Sequence, residues 1–302
     1  MKVKIFSPDW GHTWLDIYPK LLKERGHEVV EDNPDVVLNM WASPDALKLY
    51  PDARHIMFLR RYELFSFDWP KYDWNKIECL ILVNDWIKKV VDEVFKREGI
   101  KTKTMVIYNA VDTSKWTYRE RGHGKKIGMA CHVHPKKNLP LALQILAALP
   151  DDYELHIAGK MQEQFTFHYI DNLARSIKRR VFIYDHIEHS LMDKWWEDKN
   201  YCLSTSISEG CPNNVLEAMA KGIKPIVHNW PVAEEQFRGF VFNEVDEAVQ
   251  GIDSTLENLR HVEYEWPIDG DYNSALYHQT VNDNFSLDNY RRVLDVIDSP
   301  RT

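Results

Sequence analysis

Short apolar runs alternating with amphipathic stretches set the rhythm of this chain. Residues 79–83, CLILV, are apolar without a break, as in a strand buried on both faces. Residues 2–7 and 55–59 read as further strands, with shorter ones at 29–30, 36–40 and 105–108. Helical periodicity occupies 14–25, where Gly26 supplies the stop, and 85–97. The alternation restarts after residue 125. Strands are predicted at 126–131, 153–158, 181–184, 201–204 and 225–228, with helices at 139–149, 165–180, 191–198 and 214–221.

Two strand–helix series in one chain predict two α/β domains, each with a parallel, doubly wound, Rossmann-like sheet. The polar stretch 112–125, DTSKWTYRERGHGK, reads as the link. The predicted domains are 1–118 and 119–284, facing across a cleft. Residues 285–298, FSLDNYRRVLDVID, form an amphipathic helix in a segment, 285–302, that crosses back to the first domain. Residues 265–284, rich in Asp and Asn, are expected to be irregular.

Composition narrows the function classes. The formal charge is −8, and residues 243–302, with 4 basic and 13 acidic side chains, account for it. The rest is balanced, so no global positive field gathers polyanions, and charge does not favour a nucleic-acid acceptor. No 18-residue apolar run is present, and MKVKIFSPDW is too short and polar for a signal peptide. Cys79, Cys131, Cys202 and Cys211 show no C-x-x-C spacing. The expectation is a reduced, cytoplasmic protein.

Residues 206–222, SISEGCPNNVLEAMAKG, carry the chemistry. A strand ends, an acid follows, and a loop opens a helix whose N-cap is expected at Asn213 or Asn214. The first N–H groups of a helix lack intrahelical partners and suit a phosphate or diphosphate. Glu209 and Glu217 flank them. Carboxylates at both ends of an anion site match a ligand with hydroxyls at its ends and phosphates between, which is the layout of a nucleotide sugar. A capping loop with one exposed Glu is also common in α/β domains, and that bland reading stands beside the functional one.

The run from Glu209 to Glu217 resembles the E-x7-E motif of the family 4 retaining glycosyltransferases, which have the GT-B fold. Residues 106–116, VIYNAVDTSKW, and 130–139, ACHVHPKKNL, resemble two further segments of that family in the expected order. The resemblance implies transfer of a sugar from a UDP- or GDP-sugar to a hydroxyl acceptor, on a glycan, a lipid-linked sugar or a modified nucleobase, with retention and no obligatory metal or cofactor. It implies that Glu217 holds the ribose and Glu209 the donor sugar. The backbone over Asn213, Asn214, Val215 and Leu216 would meet the diphosphate, with Lys137 and Lys136 as cations and Gly210 and Cys211 in the same donor site. Tyr184 and Gly11 complete the implied donor set. His132 stands where the family carries an Arg, and imidazole binds phosphate less strongly than guanidinium. A catalytically weakened nucleotide- or glycan-binding protein is therefore the alternative. A phosphorylase or epimerase of the same fold is a third reading; phosphorylases have far longer chains.

On the acceptor side the resemblance points to Asp9, His12, Arg60 and Arg61, and the aromatic run that follows adds Tyr62 and Trp69. Residues 60–76, RRYELFSFDWPKYDWNK, mix aromatics with cations, as a sugar- or base-stacking lip or as a loop packed on the core. Asp269-Gly270-Asp271 reads as a turn rather than a metal motif. The pairs His132/His134 and His186/His189 have no third ligand nearby in sequence.

Overall fold

The computed structural model describes residues 1–7, 13–66, 68–255 and 272–300. The chain divides into two compact units, residues 1–110 with 287–302, and residues 111–286.

The first unit is built from β1 (Lys2–Phe6), α1 (Ile17–Glu24), β2 (Glu28–Val29), β3 (Val36–Asn39), α2 (Asp45–Leu49), β4 (Arg54–Leu59), α3 (Arg61–Ser66), β5 (Ile77–Leu82), α4 (Asp85–Glu98) and β6 (Lys103–Val106). Its six strands are parallel, in the order β2-β1-β3-β4-β5-β6. Period-two alternation feeds two cores. Ile56, Phe58, Cys79 and Ile81 pack on one face with Tyr18, Leu21 and Leu22 of α1. Met57, Leu59, Leu80 and Leu82 pack on the other with Ile87, Val91 and Phe95 of α4. Helix α4 has firm ends. The Asn84 side chain accepts from the Ile87 N–H at 2.8 Å, and Gly99, at φ 70°, closes it in the left-handed region.

The buried aromatics settle part of the 60–76 question. Trp69 and Trp74 are core residues, and Trp69 Nε1 donates to the Leu64 carbonyl at 3.1 Å, so Trp69 is no acceptor surface. Tyr62 and Phe65 on α3 are exposed. Beside them Glu63 is fully buried, with Oε1 accepting from the Ala42 N–H at 3.0 Å. Burial pushes its carboxyl up to about 7, against the pull of Arg60 and the Ala42 amide. A carboxyl raised on folding holds a proton that the unfolded chain has already lost. Stability therefore falls as pH rises from the unfolded value through 7. Urea unfolding from pH 5 to 8 is expected to show the wild type losing roughly 1–3 kcal/mol relative to Glu63→Gln. A constant difference would place the titration elsewhere.

The second unit comprises β7 (Lys126–Ala130), α5 (Leu139–Ala148), β8 (Glu154–Ala158), α6 (Gln164–Ser176), β9 (Arg180–Tyr184), α7 (His189–Trp195), β10 (Tyr201–Ser204), α8 (Asn213–Ala220), β11 (Lys224–His228), α9 (Ala233–Gln236), β12 (Val241–Phe242), α10 (Val245–Ile252) and α11 (Ser274–Asn284). Its parallel sheet runs β12-β11-β10-β7-β8-β9. At Gly128 on β7 an added Cβ would stand 2.4 Å from the Trp196 ring, so the fully buried indole packs directly on the strand backbone. Helix α6 stops at Ser176, short of the predicted residue 180, because Lys178 turns into the left-handed region at φ 53°. Residues 274–284, expected to be irregular, are helix α11, which buries Tyr277 and Val281.

The last helix, α12 (Asp288–Asp298), belongs to the first unit. It inserts Tyr290, Val293, Leu294 and Ile297 into the core that α1 shares. Arg54, paired with Glu78, donates to the carbonyls of Ile297 and Ser299, each at 3.0 Å.

Candidate active site

The site grows from the strand order of the second sheet. After β7 the chain steps outward to β8 and β9, then returns to place β10 on the other side of β7. The loops leaving β7 and β10 therefore diverge at a topological switch point, where parallel sheets bind ligands. These loops are 131–138 and 205–212. They are stitched together, since the Ile207 N–H donates to the Lys136 carbonyl at 3.0 Å and the Thr205 hydroxyl to the Lys137 carbonyl at 2.8 Å. Within the first loop, Pro135–Lys137 form a 3-10 turn capped by His134, whose Nδ1 accepts from the Lys136 N–H at 3.2 Å. The Cys131 N–H donates to the Ala158 carbonyl at 2.8 Å, which brings the loop base against Gly159.

This stitching delivers Lys137 onto Glu209. Their side chains form an ion pair and are only 13% and 12% exposed. Glu209 also accepts from the Ser206 hydroxyl at 2.7 Å. Burial raises the Glu209 carboxyl, but Lys137, Lys136 and Ser206 outweigh it and hold it below the usual range. Burial lowers the imidazole of His132, and Lys137, His186 and Lys136 push it down further. It is thus neutral at pH 7 beside two lysines. The cluster sets two ammonium groups, Lys136 and Lys137, against the one carboxylate of Glu209, a balance that favours an anion.

Helix α8 opens at Asn213 with Pro212 as its N-cap, not Asn213 or Asn214, and no side chain caps it. The N–H groups of Val215 and Leu216 turn back to the Pro212 carbonyl at 3.2 and 3.3 Å, so the first turn already uses two of its amides. The side chains of Cys211, Val215 and Leu216 are buried. The Gly210 carbonyl accepts from Gln236 Nε2 at 2.7 Å, which pins the loop from below. One turn along, Glu217 accepts from His189 Nε2 at 2.9 Å. Burial raises the Glu217 carboxyl, partly offset by His189. The two acids of the E-x7-E run are thus held separately, Glu209 by a lysine and Glu217 by a histidine.

Residues 111–264 match the family model described as glycosyl transferases group 1. This chain belongs to that family. Among solved structures it is similar to Anabaena HepE, solved with UDP-glucose. There the identity is 14%, the TM-score 0.73, and 99% of this chain and 100% of that chain are covered. A Rickettsia africae glycosyltransferase is 15% identical with a TM-score of 0.66, covering 98% of this chain and 97% of that one. The apo lipopolysaccharide outer core galactosyltransferase WaaB is 13% identical with a TM-score of 0.69, covering 98% and 99%. No curated protein sequence matches. The two six-stranded parallel sheets and their helices thus form the GT-B architecture of these enzymes.

In this group 1 glycosyl transferase the matched stretch holds Lys136, Lys137, Glu209 and Glu217. Tyr184 stands apart from them, its hydroxyl 3.0 Å from His156 Nδ1 and its ring against Trp195. Arg60 lies in the first unit, nearly buried, with Nε donating to the Met40 carbonyl at 3.2 Å and Nη1 to Asn109 Oδ1 at 3.1 Å. Arg61 lies over the exposed Phe65 ring. Asp9, Gly11, His12 and the Asp269–Asp271 turn lie outside the described residues. Sequence reasoning missed Ser206 and weighed His189 only as a metal ligand. A Ser three residues before Glu209 was the available signal for the first, and nothing in the local sequence joins His189 to Glu217. Among the described residues no group of three or more His, Cys, Asp or Glu is placed to hold a metal ion. No described helix is long and apolar enough to cross a membrane.

Proposed function

We propose that this chain transfers a hexosyl group from a UDP-sugar to a hydroxyl of a saccharide acceptor with retention of anomeric configuration. The carrying observation is the Lys137–Glu209 pair at the switch point, with Lys136, His132 and His186 around it. In this reading Lys137 and Lys136 meet the diphosphate, and Glu209 accepts from hydroxyls of the donor sugar. Glu217 accepts from the ribose diol. The choice of uridine over guanosine follows from the HepE structures, whose ligands are UDP with glucose and UDP-glucose.

The chemistry divides cleanly. The bond from the anomeric carbon to the phosphate oxygen breaks, and its electron pair leaves on the diphosphate. The acceptor oxygen forms the new bond on the same face and passes its proton to a phosphate oxygen. The ammonium of Lys137, held by Glu209, and that of Lys136 stabilise the charge that grows on the leaving group. His132, neutral before the donor binds, offers one N–H to the diphosphate in place of a guanidinium fork. Acceptor recognition is assigned to the first unit, through Arg61 and Tyr62 of α3. A cytoplasmic location and independence of metal belong to the same proposal.

Calorimetric titration with UDP, GDP and UDP-glucose tests the donor assignment, and NMR of the glycoside formed tests retention. Glu217→Ala is expected to weaken UDP binding about ten- to thirtyfold, since the diol donors lose their charged acceptor. Unchanged affinity would remove Glu217 from the donor site. Tight UDP binding with no release of sugar from any donor would instead favour a binding protein, the reading that His132 in the Arg position supports.

A further inference from the structure

Two rungs join α7 to α8, one helical turn apart. On α7, His189 and Asp193 are spaced i, i+4; on α8, Glu217 and the residue just past its end, Lys221, have the same spacing. Asp193 pairs with the fully buried ammonium of Lys221. It also accepts the Thr117 N–H at 2.8 Å and the Thr117 hydroxyl at 3.1 Å. That rung fixes the register of the two helices and ties residue 117 to both.

The second rung, His189 to Glu217, lies one turn closer to the N-termini of the two helices. Here the side chains are 42% and 13% exposed. With the register already held by Asp193 and Lys221, this rung is left to order a largely buried carboxylate and a half-exposed imidazole. The imidazole is itself braced. Trp116, buried beside Thr117, meets it edge to face with ring centroids 5.6 Å apart. So a scaffold of Trp116, Thr117, Asp193 and Lys221, anchored by the buried Trp116 and Lys221, aims one histidine at one carboxylate.

We infer that His189 is a positioning residue for the donor nucleoside, fixing the plane of the Glu217 carboxylate so that it accepts the two ribose hydroxyls. The inference rests on the proposal that Glu217 binds the ribose. The hydrogen-bond inventory permits it. Nε2–H occupies one lone pair of Oε1, which leaves the other lone pair of Oε1 and both of Oε2 for a diol. A carboxylate with a free torsion loses orientational entropy when it binds two hydroxyls, and one held beforehand loses less. His189 thus acts through Glu217 and needs no contact with the nucleotide.

The test is a double-mutant cycle on binding of UDP, or of GDP if that nucleotide binds more tightly. Affinities are measured for the wild type, His189→Ala, His189→Gln, Glu217→Ala and the Glu217→Ala/His189→Ala double variant. His189→Ala is expected to weaken binding about tenfold. His189→Gln, whose amide can donate to the same oxygen, is expected to recover most of that loss. In the Glu217→Ala background the His189 change should have no further effect, because the group it positions is gone. Unfolding midpoints without nucleotide show that each variant is folded.

An equal loss in both backgrounds would mean that His189 acts on its own, and would overturn the inference. So would wild-type affinity in His189→Ala while Glu217→Ala still weakens binding. If Glu217→Ala leaves affinity unchanged, the donor-site proposal itself fails, and the inference falls with it.

Discussion

Replacing Lys137 with alanine is expected to slow turnover of a UDP-sugar by about 10²–10³-fold, while UDP affinity falls far less. The asymmetry follows from where the charge is needed. In the ground state proposed above, the diphosphate charge would be spread over several oxygens and shared with solvent and Lys136. As the glycosidic bond breaks, further charge collects on the leaving oxygen, and a fixed ammonium is worth most there. This ammonium is held in place, since Glu209 grips it and the Lys137 carbonyl is tied to Thr205. UDP release from UDP-glucose, with water as acceptor, measures the step. Loss of affinity and rate by the same factor would mean that Lys137 binds donor and transition state equally.

Gly159→Ala is expected to remove at least about 3 kcal/mol of stability in urea unfolding and to weaken UDP binding as well. At φ 152° an L-residue is already disfavoured, and the added Cβ would stand 2.2 Å from the Cys131 carbonyl oxygen and 3.0 Å from the His132 nitrogen. Both are backbone atoms, so no rotamer change relieves the clash. The strand ends of β7 and β8 must separate, or loop 131–138 must move as a body. Either response pulls Lys136 and Lys137 away from Glu209. A variant with wild-type stability and affinity would mean that the loop base yields at little cost.

Much of the fold was legible because its strands are buried on both faces. Residues 79–83 carry no polar interruption, so β5 announces itself, and the two series of such runs imply two sheets. Helix α11 was hidden for the opposite reason. SALYHQTVNDN has weak helix propensity, and packing of Tyr277 and Val281 together with the Asn273 cap makes it helical. The overshoot of α6 came from Lys178, since a lysine carries no sign that it will take the left-handed conformation of a glycine. In the 60–76 run, composition could not separate Trp69 and Trp74, which fill the core, from Tyr62 and Phe65, which face solvent. At the candidate site, spacing singled out Glu209 and Glu217, and the family resemblance added Lys137. Their partners were not legible, because Lys137 with Glu209 and His189 with Glu217 are contacts between elements far apart in sequence.

The return of α12 makes residues 111–286 an insertion within the first unit, with consequences for assembly during synthesis. The inserted unit has its two ends side by side, the Val111 N–H donating to the Phe285 carbonyl at 2.8 Å, and holds all its own strands. The first unit is begun earlier but must wait for Tyr290, Val293, Leu294 and Ile297 before its face at Tyr18 and Phe58 is covered. While the ribosome works through the insertion, that face stays bare, and the half made first is the half finished last.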